Sequence, residues 1–383
     1  MKKRNVYCDN AATTAVTRAV LEAMMPYLTE CFGNASSGYR LGRQAAKAVL
    51  DARRSIAAEL GAEPDEIFFT SCGSESDNWA VRGAAELGAL AGKRHIVTTA
   101  VEHHAVLNCC KHLERLGFEV TYLMPDRFGK VSAESVEGAL RDDTALVSVM
   151  TANNEVGTLM PVAEIGRICR ERGVLFHTDA VQAAGHIPVN VREIGADMLS
   201  LSGHKLHAPK GVGALFIRRG VKLPSFIDGG SQEYGRRAGT ENVAGIVGLA
   251  KALSDAADSL AERTERLTRM RGRLEQALLG IEGARLNGHP DDRLPATVNV
   301  SFGGLEGESL LVMLDMYGIS ASSGSACTTG QDAPSHVLTA MGLTEDAAKS
   351  SIRFSLGDDC TDEDIGYLVQ AVPEAVARLR SMR

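Results

Sequence analysis

Between about residue 55 and residue 220, short runs of β-branched and aromatic residues alternate with stretches of helical periodicity. That alternation predicts an α/β domain built on a mainly parallel, buried sheet. The strand candidates are 67–70, 95–99, 119–124, 145–150, 174–177, 198–201 and 213–218. Amphipathic segments 78–90, 105–116 and 162–172 lie between them, each followed closely by a glycine (Gly92, Gly117, Gly173), as helix C-termini prefer. Residues 253–280 read as one long helix, with Leu253, Leu260, Leu267 and Leu274 at heptad spacing and Glu and Arg on the other faces. The repeat is short, so a helix bridging two domains explains the stripe better than a coiled coil does. Beyond it, 296–302, 309–317, 351–355 and a last helix from Asp362 predict a smaller α+β unit, with Thr361 and Asp364 at capping-box positions.

Composition narrows the partners. With 44% hydrophobic and 23% charged residues the chain is globular, and its 383 residues are enough for two domains. Lys plus Arg number 41 against 48 Asp plus Glu, and the net charge of −7 argues against nucleic acid or anionic membranes as partners. The basic start Lys2, Lys3, Arg4 leads into Asp9 and Asn10 instead of an apolar stretch, and no uncharged apolar run is long enough to span a membrane. The eight cysteines form no C-x-x-C pair and no metal-ligand cluster, so reduced thiols, a cytoplasmic location and no metal are expected.

Five stretches carry candidate chemistry. In Leu199-Ser-Leu-Ser-Gly-His-Lys205 a buried strand runs into polar residues, the place where α/β proteins set ligands. A lysine there is desolvated and becomes a nucleophile toward an aldehyde, while Ser202 and His204 suit a phosphate anchor. Asp179 ends a second strand and Gln182 follows on the next turn; with a Schiff-base lysine, such an aspartate is the partner that pyridoxal phosphate (PLP) needs on its pyridine nitrogen. A plain helix N-cap is the competing role for Asp179. In Phe69-Thr-Ser-Cys-Gly73-Ser74, small residues between strand and helix favour a phosphate, and Gly73 permits close approach. His103 and His104 follow the strand at 95–99; adjacent on an opening helix, they suit stacking or proton transfer better than a metal. Cys327 lies in Ala321-Ser-Ser-Gly-Ser-Ala-Cys327-Thr-Thr-Gly330, a setting that suits a reachable nucleophile on a movable loop.

Together and in this order, these stretches resemble the PLP-dependent cysteine desulfurases of the NifS/IscS type, from Tyr7-Cys-Asp-Asn-Ala-Ala-Thr-Thr14 to Ser351-Ile-Arg-Phe-Ser-Leu356. The resemblance implies PLP fold type I, with a large domain over 15–252 and a small α+β domain from 1–14 and 253–383 that carries the cysteine loop. It makes Lys205 the Schiff-base lysine, Asp179 the pyridinium partner, and Asn154 and Gln182 contacts to the ring or its hydroxyl. Gly73, Ser74, Ser202 and His204 hold the phosphate, and His103 stacks on the ring and moves protons. Thr240, in Arg236-Arg-Ala-Gly-Thr240, reaches the phosphate of a second subunit, which implies a homodimer. Arg353 clamps the substrate carboxylate with help from Asn34, and Cys327 is the nucleophile that takes sulfur from L-cysteine, leaving L-alanine.

The Ser-Ser-Gly-Ser-Ala-Cys327 run is similar to the branch with a long cysteine loop. Leu206-His-Ala-Pro-Lys210 and Thr70-Ser-Cys-Gly73, with the end of the chain at Arg383, are closer to the enzymes of nitrogenase maturation than to the housekeeping ones. An iron–sulfur scaffold or another sulfur acceptor is the implied partner. Ala35, Tyr39 and Gln331-Asp-Ala333 depart from the family's usual Pro, His and Ser-Leu-Glu, which bears on loop rigidity and docking. A PLP aminotransferase, a selenocysteine lyase and a non-catalytic sulfur carrier are the rival readings of the same motifs.

Overall fold

The computed structural model describes residues 4–323 and 333–382. Strand β1 (Val6–Tyr7) opens the chain. A seven-stranded sheet then forms from β2 (Ile67–Thr70), β3 (His95–Thr99), β4 (Glu119–Leu123), β5 (Thr144–Ser148), β6 (Leu175–Asp179), β7 (Met198–Ser202) and β8 (Gly213–Ile217), in the order β2-β8-β7-β6-β5-β3-β4. All pairings among β3 to β7 are parallel, and β8 runs antiparallel to both β2 and β7. The sheet is therefore mainly parallel, as the alternation of runs predicts.

Alternating side chains fill the two faces, as a two-residue period requires. Phe69, Val97, Val147, Phe176 and Leu199 point into one core. Phe68, Ile96, Leu146, Met198 and Leu215 point into the other, against Trp79. Burying each of these side chains contributes roughly 1.5–3 kcal/mol. Observed ends differ from the predicted ones by one to two residues at several strands. Met150, for instance, leaves β5 because its N–H donates to Glu102 Oε1 at 3.0 Å.

The 253–280 stripe is not one helix. The helices Val243–Asp258 and Leu260–Leu279 meet at Ser259, whose hydroxyl donates to the Asp255 carbonyl at 2.9 Å. Leu253 packs into the core of the large sheet, whereas Leu267 and Leu274 pack into a separate core. The heptad spacing is real, but its leucines serve two cores, and the break turns the stripe from one to the other.

That second core lies under β9 (Ala284–Asn287), β10 (Thr297–Phe302) and β12 (Ser351–Ser355), an antiparallel sheet of order β12-β10-β9, and includes Val6 beside β11 (Ile319–Ser320). The final helix, Asp362–Ser381, closes it through the Thr361–Asp364 capping box. Val337, Leu338 and Met341, though late in the chain, pack into the large sheet's core. No helix among the described residues is long and apolar enough to cross a membrane.

Candidate active site

The C-terminal ends of β2, β3, β6 and β7 face one cavity of about 230 Å³. β7 runs through Ser202 into a single tight turn, Gly203–Lys205. Gly203 is required there, since a Cβ would lie 2.9 Å from Val212 Cγ1. Lys205 Nζ donates to the carbonyls of Ala11 (2.8 Å) and Ala12 (2.7 Å), which bring the N-terminal segment into the site. The backbone of the turn is fixed as well, with His204 O accepting from Thr14 N at 2.9 Å and Lys205 O facing His186 Nε2 at 3.1 Å. Burial, with Lys205 beside it, lowers the His204 pKa to about 4, so its ring is neutral.

Across the cavity Asp179 ends β6, its Oδ1 accepting from Val181 N at 2.8 Å. The N-cap geometry is thus present, yet the side chain also lines the cavity. Burial raises its pKa to about 6, and the hydrogen bond from Val181 and the Lys205 charge oppose that rise. Behind it His177 bridges three strands, with Nδ1 2.9 Å from Ser148 Oγ and Nε2 3.0 Å from Ser200 Oγ. Asp77, fully buried above His177, is pushed well above the usual carboxylate range by burial and then by Asp179. One negative charge, rather than two, is the stable state of these neighbouring carboxyls. Gln182 Nε2 donates to Ala11 O at 2.9 Å.

His103 is the N-cap of the helix His104–Arg115, its Nδ1 accepting from Ala105 N at 3.2 Å. Burial, with Lys205, His104 and His336 nearby, lowers its pKa to about 4. The ring is therefore neutral and carries its hydrogen on Nε2. The fourth wall is the start of the helix Gly73–Leu90, whose first N–H groups have no partner within the helix. A Cβ on Gly73 would sit 2.7 Å from Val181 Cγ2 and 3.3 Å from Ser202 Cβ, so only glycine lets these three segments converge.

A phosphate donor set, a lysine amine, a carboxylate and a neutral imidazole thus surround one space, and these residues fit PLP. Its phosphate suits the Gly73–Ser74 backbone with Ser202 and His204, its ring nitrogen suits Asp179, and its aldehyde carbon suits Lys205.

Arg353 reaches the same cavity from the centre of β12. Its Nη1 donates to Asn154 O at 2.8 Å and its Nη2 to Asp9 Oδ1 at 2.8 Å, which fixes the plane of the guanidinium. Asn154 lines the cavity. Asn34 and Thr240 do not: both are exposed, and Asn34 Oδ1 accepts from Ser36 N at 2.9 Å. Cys327 lies outside the described residues. Sequence reasoning missed Asp77, Glu155, His336 and the Ala11–Ala12 carbonyls, and gave His104 no settled part. His336 packs edge-on against His104, with ring centroids 4.5 Å apart, and hydrogen-bonds the Glu102 carbonyl at 2.9 Å. Glu155 accepts from Ser335 Oγ. The available signal was the polar pair Ser335-His336 opening a helix just after the glycine-rich stretch.

Residues 6–368 match the family model described as aminotransferase class V. A cysteine desulfurase IscS of Methanosarcina thermophila is 52% identical over 381 residues, spanning 100% of this chain and 94% of that protein. A cysteine desulfurase IscS of Clostridium botulinum is 50% identical over 385 residues, with 99% and 96% covered. Among solved structures, a NifS-like protein superposes with a TM-score of 0.93 at 40% identity, covering 98% of this chain and 100% of that one. One described as SspA in complex with cysteine gives a TM-score of 0.82 at 38% identity, covering 93% and 99%.

Proposed function

The chain belongs to the class V aminotransferase family, and from that premise we propose that it is a PLP-dependent cysteine desulfurase that converts L-cysteine to L-alanine. The observation that carries this reading is the convergence of Lys205, Asp179 and Arg353 on one cavity from β7, β6 and β12. PLP supplies an electron sink for the pair released when the substrate Cα–H bond breaks.

This chain's residues do the rest. Arg353, its planar guanidinium oriented by Asp9 and Asn154, binds the substrate carboxylate in bidentate fashion. Lys205 Nζ would hold the cofactor's aldehyde carbon and, as a free amine, would take the Cα proton. Asp179 would keep a proton on the cofactor's ring nitrogen, and burial with Asp179 nearby pushes Asp77 toward its protonated form, away from a second buried charge. His103 offers an uncharged Nε2–H beside Lys205 and assists the proton transfers. The Cys327 thiolate attacks the substrate sulfur; the new S–S bond forms as the Cβ–S bond breaks, and the carbon frame is protonated to alanine.

The persulfide on Cys327 then passes to an iron–sulfur scaffold in the cytoplasm, in the branch suggested by the sequence one that serves nitrogenase maturation. A homodimer completes each site: Thr240 is exposed for a second copy, and Leu21, Met25 and Leu28 form an exposed apolar stripe on the helix Arg18–Thr29. A single turnover with sulfur-labelled cysteine tests the reading. Label bound through Cys327 with matching alanine is expected. Bound cofactor without alanine or bound label would overturn desulfuration in favour of an aminotransferase or selenocysteine lyase.

A further inference from the structure

Two consecutive residues that are not glycine, Glu233 (φ 47°) and Tyr234 (φ 58°), adopt left-handed backbone angles, a costly conformation for side chains of their size. Such strain persists only where surrounding contacts over-determine it. The contacts are unusually dense here. Arg53, itself buried, meets the Glu233 carboxylate with Nη1 and Nη2, each at 2.8 Å, and also donates to Ile67 O. Its guanidinium lies over the rings of Phe69 (4.7 Å) and Tyr234 (5.3 Å). Glu233 Oε2 accepts in addition from Phe69 N at 2.9 Å. That N–H sits on β2, an edge strand of the sheet, so a side chain takes the place of the missing neighbour strand.

Four residues later the same strap grips the other end of the same turn. Arg237 holds Glu75 in a fork, Nε to Oε1 at 2.8 Å and Nη2 to Oε2 at 3.1 Å. Glu75 in turn accepts from Ser71 N at 2.8 Å and from the Ser71 hydroxyl. Ser71 and Glu75 bracket Cys72, Gly73 and Ser74, the stretch that presents backbone N–H groups to the cavity.

We infer that the strap from Glu233 to Arg237 is a two-point clamp that positions the phosphate-binding turn, with Glu233 fixing its strand side and the Arg237–Glu75 pair its helix side. The inference rests on the PLP reading of the site. None of the four clamp side chains, Arg53, Glu75, Glu233 and Arg237, lines the cavity, so they act through the turn as positioning residues.

The sign of one substitution separates this from plain electrostatics. If Arg237 and Glu75 acted on a bound phosphate only through their charges, removing the Glu75 carboxylate would tighten phosphate binding. If they position the turn, its removal weakens binding. The experiment strips cofactor from the full chain and titrates the apoprotein with PLP and with pyridoxal, which lacks the phosphate. Glu75→Ala, Arg237→Gln and Glu233→Gln are each expected to weaken PLP binding by about tenfold or more, as loss of a charge-assisted contact does, with pyridoxal changed by less than about twofold. Tighter or unchanged PLP binding by Glu75→Ala would overturn the clamp. Equal losses for both ligands would also overturn it, because they would mark a general structural role. Glu233→Gln leaves a buried arginine without its full partner; if it fails to fold, the more exposed Glu75–Arg237 pair decides the matter. Wild-type apoprotein that binds neither ligand would overturn the PLP reading itself, and the clamp with it.

Discussion

The two sides of the cavity are built differently. The side holding Lys205, Asp179, Gly73 and His103 is made of residues at or just beyond the C-terminal ends of neighbouring strands, so the sheet itself sets their spacing. The side holding Arg353 is assembled over long distances in the chain: its guanidinium is oriented by Asp9, 344 positions away, and by Asn154, 199 away. A side built on one sheet has its spacing set by the strands, and distant contacts, such as those of Lys205 with Ala11 and Ala12 and of the phosphate turn with Glu233 and Arg237, only trim it. A side built from distant segments depends on each of them arriving.

The largest effect should come from breaking the sheet side at its reactive centre. Lys205→Ala is expected to abolish the visible absorption of bound cofactor and to cut turnover by about 10⁴-fold, the upper range for a lost proton-transfer group, as read by spectra and alanine release. A retained borohydride-reducible chromophore would assign the cofactor to another lysine. Cys327→Ala should leave that chromophore intact and still release no sulfur, and normal turnover by this variant would remove Cys327 as nucleophile.

Arg353→Ala tests the other side. Losing a charged hydrogen-bonding partner worth about 1.5–3 kcal/mol should raise KM roughly 10- to 100-fold with little change in kcat, because a carboxylate clamp binds ground and transition states alike. Asp9→Asn should give the same pattern at smaller size, since the guanidinium loses one of two anchors. If Asp9→Asn leaves KM unchanged, long-range assembly does not govern that side.

The smallest effect concerns the core beneath the sheet side. Burial raises the Glu102 pKa from 4.5 to about 8. The folded chain thus favours protonated Glu102, and this contribution to stability is full below about pH 4.5 and is lost as pH rises toward 8. Glu102→Gln should therefore melt a few degrees above wild type at about pH 9 and match it at low pH, as followed by thermal denaturation. A variant less stable at both pH values would show that the carboxyl has a charged partner.

What the sequence made legible follows the same division. β2, β3 and β12 have their predicted limits because compact β-branched and aromatic runs end at turn residues. Lys205, Asp179 and Gly73 could be read because each follows such a run at once. Asp77 could not, since one carboxylate in the second turn of a helix reads as an ordinary helical position until the fold buries it over His177. The break at Ser259 was also hidden, because heptad spacing does not reveal that successive leucines face different cores. Glu155 and His336 are joined to the site only by tertiary contacts.

The reversed direction of β8 has a mechanical consequence. A parallel β8 would send the chain from Lys205 across the whole sheet before it could pair again. Because β8 is antiparallel, residues 203–212 instead return at once, and the Ser202–Gly213 pairing closes them at the base. Lys205 therefore rides on an arch pinned at both feet, with Thr14 and His186 bracing its span. Any force on Nζ is carried straight into two strands of the sheet, so the amine sits on one of the stiffest mounts the fold offers.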